Sequence, residues 1–190
     1  MMFDEEYVHG FSNKLLFPAF GPIEDLVLGI LRPHFQRVEQ AGGPKVHVYT
    51  DYQEDMKTPG VLCLNTRRTG IEAYATNDDN WMRSVVLEVN AFADGWEAEK
   101  DAADLQESVR HAFMHAQRTQ MVIPGVGSIS KITTPIMATR QTDWATASGP
   151  TQYAKMPHGA TRYEARYRII MRPSATYTNK FLAPYDGSNL

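Results

Sequence analysis

Two histidines spaced four residues apart form the pattern in this chain that is closest to a catalytic or metal-binding motif. His111 and His115 fall in a segment predicted to be helical, so both imidazoles would lie on one helix face and could share a metal ion. Position 112 is an alanine, whereas zinc metalloproteases with this spacing carry a glutamate directly after the first histidine. Because the sequence nominates no third ligand, we predict no metal site and interpret both histidines as exposed or half-buried side chains.

The other residues that could support chemistry fall in patterns typical of turns or cores. Residues 125–128 combine two glycines with a serine, but they follow a helix and lack the lysine of a phosphate loop. Asp78 and Asp79 lack the later glycine and glutamate of a calcium loop, and no serine occupies a nucleophile elbow. Cys63, the single cysteine, stands in an apolar run typical of a buried strand. We therefore predict no catalytic residue, cofactor or metal, and a role in assembly rather than catalysis.

A long strand followed by an amphipathic helix is the best-defined structural unit of the sequence. Residues 83–92 alternate with a period of two, as a half-buried strand does. The apolar face of this strand comprises Val85, Leu87, Val89 and Ala91. Asp94 and Glu97 then have the spacing of a helix N-cap and its N3 partner. Apolar residues recur every three or four positions on the core face of this helix, which comprises Ala98, Ala102, Leu105, Val109, Ala112, Phe113 and Ala116.

The remaining pattern predicts one more helix and four more strands. The helix begins at Pro22, and Pro33 is expected to kink it or shorten its end. The additional strands are predicted at 46–52, 61–68, 128–139 and 162–173. In the last of these strands, arginines alternate with apolar residues. Arginines on an exposed sheet face commonly pair with neighbouring carboxylates, so we do not interpret them as a phosphate site.

Length and composition fit a single globular domain with extended ends. The 190 residues are 43% hydrophobic and 22% charged, which is ordinary for a globular protein. We predict an N-terminal arm over residues 1–21, one domain over 22–173 and a C-terminal tail over 174–190. No apolar run approaches the roughly 20 residues that span a bilayer, and three acidic residues at positions 4–6 disfavour a secretory signal.

The predicted domain contains one long segment, residues 140–160, without a periodic pattern. Loops longer than about 12–15 residues are uncommon inside compact domains and are often functional. Trp144, Tyr153 and Met156 lie in this loop, and large apolar side chains are costly to leave in water. We therefore predict that the loop contacts a partner.

Charge is distributed unevenly along the chain. Residues 1–100 hold 9 lysines and arginines against 16 acidic residues, a balance of −7, whereas residues 101–190 hold 10 against 6, a balance of +4. Arg162, Arg166 and Arg168 contribute to the positive excess, and we include them in the predicted partner interface. Opposite charges on one chain suit contacts between copies of that chain, although they could also simply solvate two faces. The absence of a basic helix and of regular aromatic interleaving disfavours direct nucleic-acid binding.

The order of these elements over residues 22–173 resembles that of the tail terminator proteins of long-tailed bacteriophages. A helix, two strands, a long alternating strand, a helix that starts with acidic residues and alanine, and a closing strand with arginine and tyrosine form the shared pattern. The residues that support the resemblance are Arg83, Val85, Leu87, Val89, Ala91, Ala98, Ala102, Leu105, Val109, Arg162, Tyr163, Tyr167 and Arg172. The predicted arm, the long loop and the tail have no counterpart in this pattern.

The resemblance implies an α+β fold, with a mixed and largely antiparallel sheet flanked by two main helices. It further implies a hexameric ring that caps the tail tube in the tail-neck region of the virion, after assembly in the host cytoplasm. The expected partners are further copies of the chain, the tail tube protein and the connector or stopper proteins between head and tail. Three alternatives stay open: another head–tail connector or neck protein, a metal-dependent enzyme using the two histidines, and a nucleic-acid-binding module.

Overall fold

The protein has an α+β fold in which two helices lie against a mixed β-sheet. The computed structural model describes residues 21–53, 55–65, 73–74, 82–141 and 160–174. The elements within these ranges are α1 (Ile23–Gln40), β1 (His47–Tyr49), β2 (Gly60–Asn65), β3 (Ala73–Tyr74), β4 (Arg83–Ala93), α2 (Ala98–Arg118), β5 (Val122–Ile123), β6 (Gly127–Gln141) and β7 (Thr161–Pro173). The fold class predicted from the resemblance is therefore confirmed.

The described strands form one seven-stranded sheet with β4 and β7 at its centre. Its order is β1-β2-β4-β7-β6-β5, and the short β3 lies beside β4 on the same edge as β2. Strands β1 and β2 run parallel, whereas every other pairing is antiparallel. The pairing of β4 with β7 is continuous from Arg83 opposite Met171 to Ala93 opposite Thr161. This uninterrupted ladder is the frame on which the other elements are placed.

One face of the sheet packs against both helices. The alternating apolar residues predicted for β4 are all fully buried, and they belong to the same core cluster as the buried residues of α1 and α2. All seven apolar positions predicted for the core face of α2 are buried as well. The ring of Phe113 on α2 meets the ring of Tyr167 on β7 edge-on, with 5.4 Å between their centroids. The alternation in β4 and the three- and four-residue spacing in α2 therefore predicted the residues of this core correctly.

Helix α1 continues past Pro33 to Gln40, so Pro33 does not shorten it, and the alternative expectation of a kink at Pro33 stays a prediction. Pro33 is exposed and lies inside the helix, where it removes one backbone amide donor. The helix ends instead at a glycine pair. Gly42 adopts a φ of 88°, in the left-handed region, and the Gly43 amide donates to the Val38 carbonyl at 2.9 Å.

The predicted N-cap of α2 is wrong. The helix begins at Ala98, so Glu97 occupies the N-cap position, and no side chain caps the first turn by a hydrogen bond. The intervening turn uses Gly95, whose φ of 92° is accessible to glycine without strain. Asp94 precedes that turn and lies four residues before the first helical residue, so it does not occupy the N-cap position. Acidic Glu99 and Asp101 in the first turn still favour the helix through its dipole.

Several strand boundaries differ from the predicted ones. Strand β1 spans three residues rather than 46–52, because Asp51 turns back to accept a hydrogen bond from the Tyr52 amide at 2.8 Å. Strand β2 ends at Asn65, and residues 66–68 of its prediction lie outside the described ranges. Strand β6 includes Arg140 and Gln141, which were predicted to open the long loop, because they pair with β7.

A buried glutamine that the sequence pattern did not identify joins α2 to the two central strands. Gln106 is 1% exposed, and its Nε2 donates to the Val89 carbonyl of β4 at 2.7 Å and to the Tyr163 carbonyl of β7 at 2.8 Å. A single side chain therefore links the helix to both partners of the central ladder. Buried amides of this kind are costly to leave without partners.

Replacing Gln106 should destabilise the protein much more than replacing its neighbour in the helix. We expect Gln106→Ala to lower the free energy of unfolding by about 1–3 kcal/mol, since it removes two buried hydrogen bonds and leaves a cavity. Glu107→Ala, which removes an exposed pair with Arg110, should change it by no more than about 0.5 kcal/mol. Urea titration of both variants measures the difference. Equal losses would show that Gln106 does not hold α2 on the sheet.

Candidate interaction surface on the second face of the sheet

The second face of the sheet, opposite the helices, holds the charged side chains of β7. Alternation along β7 buries Ala165, Tyr167, Ile169 and Met171 against the helices, as predicted. The intervening residues of the second face include Arg162, Glu164, Arg166, Arg168 and Arg172. The alternation of β7 predicted that this face is exposed. The structure shows that one end of it is buried and the other end is exposed.

Five side chains at the buried end form a closed set of polar contacts, here called the charge network: Glu88, Asn90, Arg162, Glu164 and Arg166. Asn90 Nδ2 donates to Glu88 Oε1 at 3.0 Å, and Asn90 Oδ1 accepts from Arg162 Nη1 at 3.1 Å. Arg162 Nη2 lies 3.7 Å from Glu164 Oε2. Arg166 Nη2 lies 3.2 Å from Glu164 Oε1 and 3.3 Å from Glu88 Oε2, which completes the circuit.

The strand register explains why these side chains meet. The charges of Arg162, Glu164 and Arg166 alternate along β7. Across the ladder, Glu88 lies opposite Arg166, and the neutral Asn90 lies opposite Glu164. The network contains two positive and two negative groups and is therefore neutral. Arg162, expected on an exposed face, is only 5% exposed. Buried ions of this kind are tolerated only where partners replace their hydration.

Burial at this end also depends on an apolar cluster beside the charge network. Phe92 of β4 is fully buried with Met56, Leu62 and Ala160, and its ring stacks on Tyr49 at a centroid distance of 6.3 Å. The prediction that β4 is half-buried therefore fails at its C-terminal end, where both faces are covered. The covering residues come from distant parts of the chain, so the alternation within β4 could not reveal them.

The pKa of Glu164 reflects this partly dry environment. Burial raises the pKa of its carboxyl, and the neighbouring charge of Glu88 raises it further, while Arg162 and Arg166 oppose the shift. Because the pKa of Glu164 is higher in the folded protein than in the unfolded chain, its protonated carboxyl stabilises the fold. This contribution is complete at pH values below the pKa of the unfolded chain. That contribution is lost as pH rises through the folded pKa.

The exposed end of the second face holds three cations, here called the basic patch: Lys131, Arg168 and Arg172. All three are exposed, and Arg168 and Arg172 lie across the strand from Thr133 and Ser128 of β6. Arg172 Nη1 donates to Gln120 Oε1 at 3.3 Å, but none of the three makes an ion pair with any residue in the described ranges. The basic patch therefore keeps a local charge of +3.

The predicted interface residues thus separate into three groups. Arg162 and Arg166 belong to the charge network, and Arg168 belongs to the basic patch. Trp144, Tyr153 and Met156 lie outside the described residues. Their assignment to a partner interface stays a prediction.

The two histidines of the possible metal motif are both exposed on α2. In the described parts of the chain, no group of three or more histidine, cysteine or acidic side chains is arranged to hold a metal ion. His34 of α1 lies nearby, with its Nε2 2.9 Å from Ser108 Oγ. Burial lowers the pKa of His34, and the charges of Arg37, His111 and His115 lower it further. Cys63 is buried, and burial raises the pKa of its thiol.

Several large apolar side chains outside the predicted partner interface are exposed. Trp96, in the turn before α2, is fully exposed, and Val122, Ile136 and Met137 are exposed on β5 and β6. From Ile129 onward, no described strand covers the outer edge of β6. Pro135 and three register shifts against β7 make that edge irregular. Such irregularity weakens pairing with a further strand, so side chains rather than backbone groups are the available contacts.

Neither the models of known protein families nor the curated proteins include a match to this sequence. Among the described helices, none combines the length and the apolar character that crossing a membrane requires.

Two arginines of the second face should differ sharply in their contribution to stability. Arg162→Met removes the donor to Asn90 Oδ1 and one of the two cations beside Glu164, and we expect it to lower the free energy of unfolding by about 3 kcal/mol or more. Arg168→Met, on the same strand and face, should change it by no more than about 0.5 kcal/mol because Arg168 is exposed. Urea titration of both variants compares them. Similar small effects would show that the charge network does not stabilise the fold.

His34 should make the protein less stable in mild acid. Its folded pKa lies below the ordinary value of 6.5, so the unfolded chain binds a proton first as pH falls. The stability that neutral His34 contributes is therefore complete above about pH 6.5, and it is lost as pH falls through the pKa of His34 in the folded protein. We expect His34→Asn to reduce the loss of urea midpoint between pH 8 and pH 5. If the urea midpoint of the variant falls between pH 8 and pH 5 as much as that of the original protein, His34 is not the source of the acid sensitivity, whatever the change in absolute stability.

Proposed function

We propose that this protein is a structural virion component that forms a ring on the end of a phage tail tube. The ring ends tube polymerisation and presents the opposite surface for joining to the head. The observation that supports the proposal is the order of elements, since α1, β1, β2, the long β4, α2 and the closing β7 occur along the chain in the order that the resemblance implies, with β3, β5 and β6 between them. The resemblance also supplies the expected number of six copies and the location at the tail neck.

The proposed activity is a matter of surfaces and needs no bond-making step. A ring with one face matched to the tube leaves no site for the next tube subunit, so growth stops. The other face then contacts the connector or stopper proteins on the head side. Exposed apolar residues such as Trp96 and Met137 suit such contacts, because large anchors at the centre of an interface often dominate its affinity.

The direct experiment adds the purified protein to polymerising tail tube protein from the same genome. Tubes should stop growing, and electron microscopy should show a ring of this chain at one end of each tube. Tubes that elongate at an unchanged rate, with no ring at either end, would reject the proposal. Binding to filled heads without any binding to tubes would instead assign the chain to the connector or neck proteins.

Trp96 offers a sharper test of the proposed contacts. Because its side chain is fully exposed, Trp96→Ala should leave the melting temperature unchanged. If Trp96 anchors the ring to a neighbour, the same change should weaken tube capping by about 30-fold, which corresponds to about 2 kcal/mol. Trp96→Phe is the matched control and should retain most of the capping. Full capping by Trp96→Ala would exclude Trp96 from the interface.

A further inference from the structure

A cavity of about 390 Å³ opens on the helix side of the subunit. It lies between the C-terminal half of α1, the N-terminal half of α2 and the ends of neighbouring strands. Its apolar wall includes Phe35, Val38, Val46 and Leu105. Three exposed aspartates, Asp94, Asp101 and Asp104, also line it, so the whole is here called the acidic cavity.

The aspartates of the acidic cavity differ from the other acidic residues around the start of α2. Each of the glutamates in this region forms an ion pair within the chain: Glu97 with Lys100, Glu99 with Arg140, and Glu107 with Arg110. Asp94, Asp101 and Asp104 form none with any residue in the described ranges. The cavity therefore holds three carboxylates that no cation of the same described subunit neutralises.

The chemistry of the acidic cavity selects a particular kind of side chain. Arginine and lysine combine an aliphatic stem, which packs on apolar surface, with a charged end that binds carboxylates. An apolar wall with aspartates beside it fits such a side chain along its whole length. The charge network cannot supply one, because its two arginines are already paired on the other face of the sheet.

The basic patch supplies the complementary charge. It presents +3 against the −3 of the acidic cavity, and its cations have no ion pair in the described part of their own subunit. The patch lies on the second face of the sheet, whereas the cavity lies on the helix side, so the two surfaces cannot meet within one subunit. They can meet only between separate copies.

We propose that the basic patch of one copy docks on the acidic cavity of the next. Arg168 enters the cavity, with its stem along Leu105 and its guanidinium against Asp101 and Asp104. This inference rests on the proposed function, which requires copies of the chain to associate, and it names the surfaces they use. Because the two surfaces differ, the contact is heterologous, and repetition about one axis closes a ring if the rotation between neighbours closes.

The test uses two charge-reversed variants of the full chain. Asp101→Lys with Asp104→Lys makes the cavity positive, and Lys131→Glu with Arg168→Glu makes the patch negative. Each variant alone should require at least a tenfold higher concentration for half-maximal assembly, measured by mass photometry. An equimolar mixture should restore assembly, because each reversed surface then meets a reversed partner and each original surface meets an original one.

Controls separate loss of docking from loss of folding. Thermal melts followed by circular dichroism report folding, and the milder pair Asp101→Asn with Asp104→Asn should also weaken assembly without a charge clash. Asp25→Lys and Arg32→Glu reverse exposed charges on α1 at residues that belong neither to the lining of the acidic cavity nor to the basic patch, and should leave assembly unchanged.

The outcomes distinguish this inference from the proposed function. Variants that assemble like the original protein, or a mixture that does not recover, would overturn the docking of patch on cavity while the ring itself stands. An original protein that stays monomeric both alone and with the tube protein would overturn the docking and the proposed function together. A two-fold dimer would also overturn the docking, since its single interface would have to contain both the patch and the cavity, which lie on opposite faces of the subunit.

Discussion

The structure depends on the uninterrupted pairing of β4 with β7. Because side chains alternate across a strand, this one register places Val85, Val89 and Tyr167 against the helices and the charge network on the opposite face. A slip of one residue in either strand would move that strand's members of the charge network into the helix-side core and its core residues out of it. Both faces therefore specify the same register. Gln106 reinforces it by bonding to a carbonyl of each strand.

Local periodicity predicted the features that depend on one segment alone. The core faces of β4, β7 and α2 follow from the sequence because each repeats within a few residues. Burial of Arg162 and Gln106 does not, since it depends on partners 72 and 57 residues away. The prediction of the N-cap of α2 was wrong for a different reason. Gly95 permits a turn, and the spacing of Asp94 and Glu97 does not distinguish such a turn from the start of a helix.

The number of charged residues in a segment does not show which of them are available to a partner. The balance of each half of the chain treats Asp101 and Glu99 alike, yet Glu99 is paired with Arg140, 41 residues away, and Asp101 is not paired within the described ranges. Likewise, Arg166 and Arg168 are close in sequence, but only Arg166 is part of the charge network. Which charges are available to a partner depends on the strand register and on the packing of β6 beside α2.

In the proposed ring, the angle between neighbours and the affinity between them would have separate origins. The patch and the cavity lie on opposite layers of one sheet and helix unit, so the central ladder fixes their relative orientation and hence the rotation per copy. The unpaired charges set the selectivity and salt dependence of the contact without altering that rotation. The irregular edge of β6 disfavours strand addition, which would otherwise join copies in a different geometry. Charge substitutions should therefore weaken or restore the ring while leaving its number of copies unchanged.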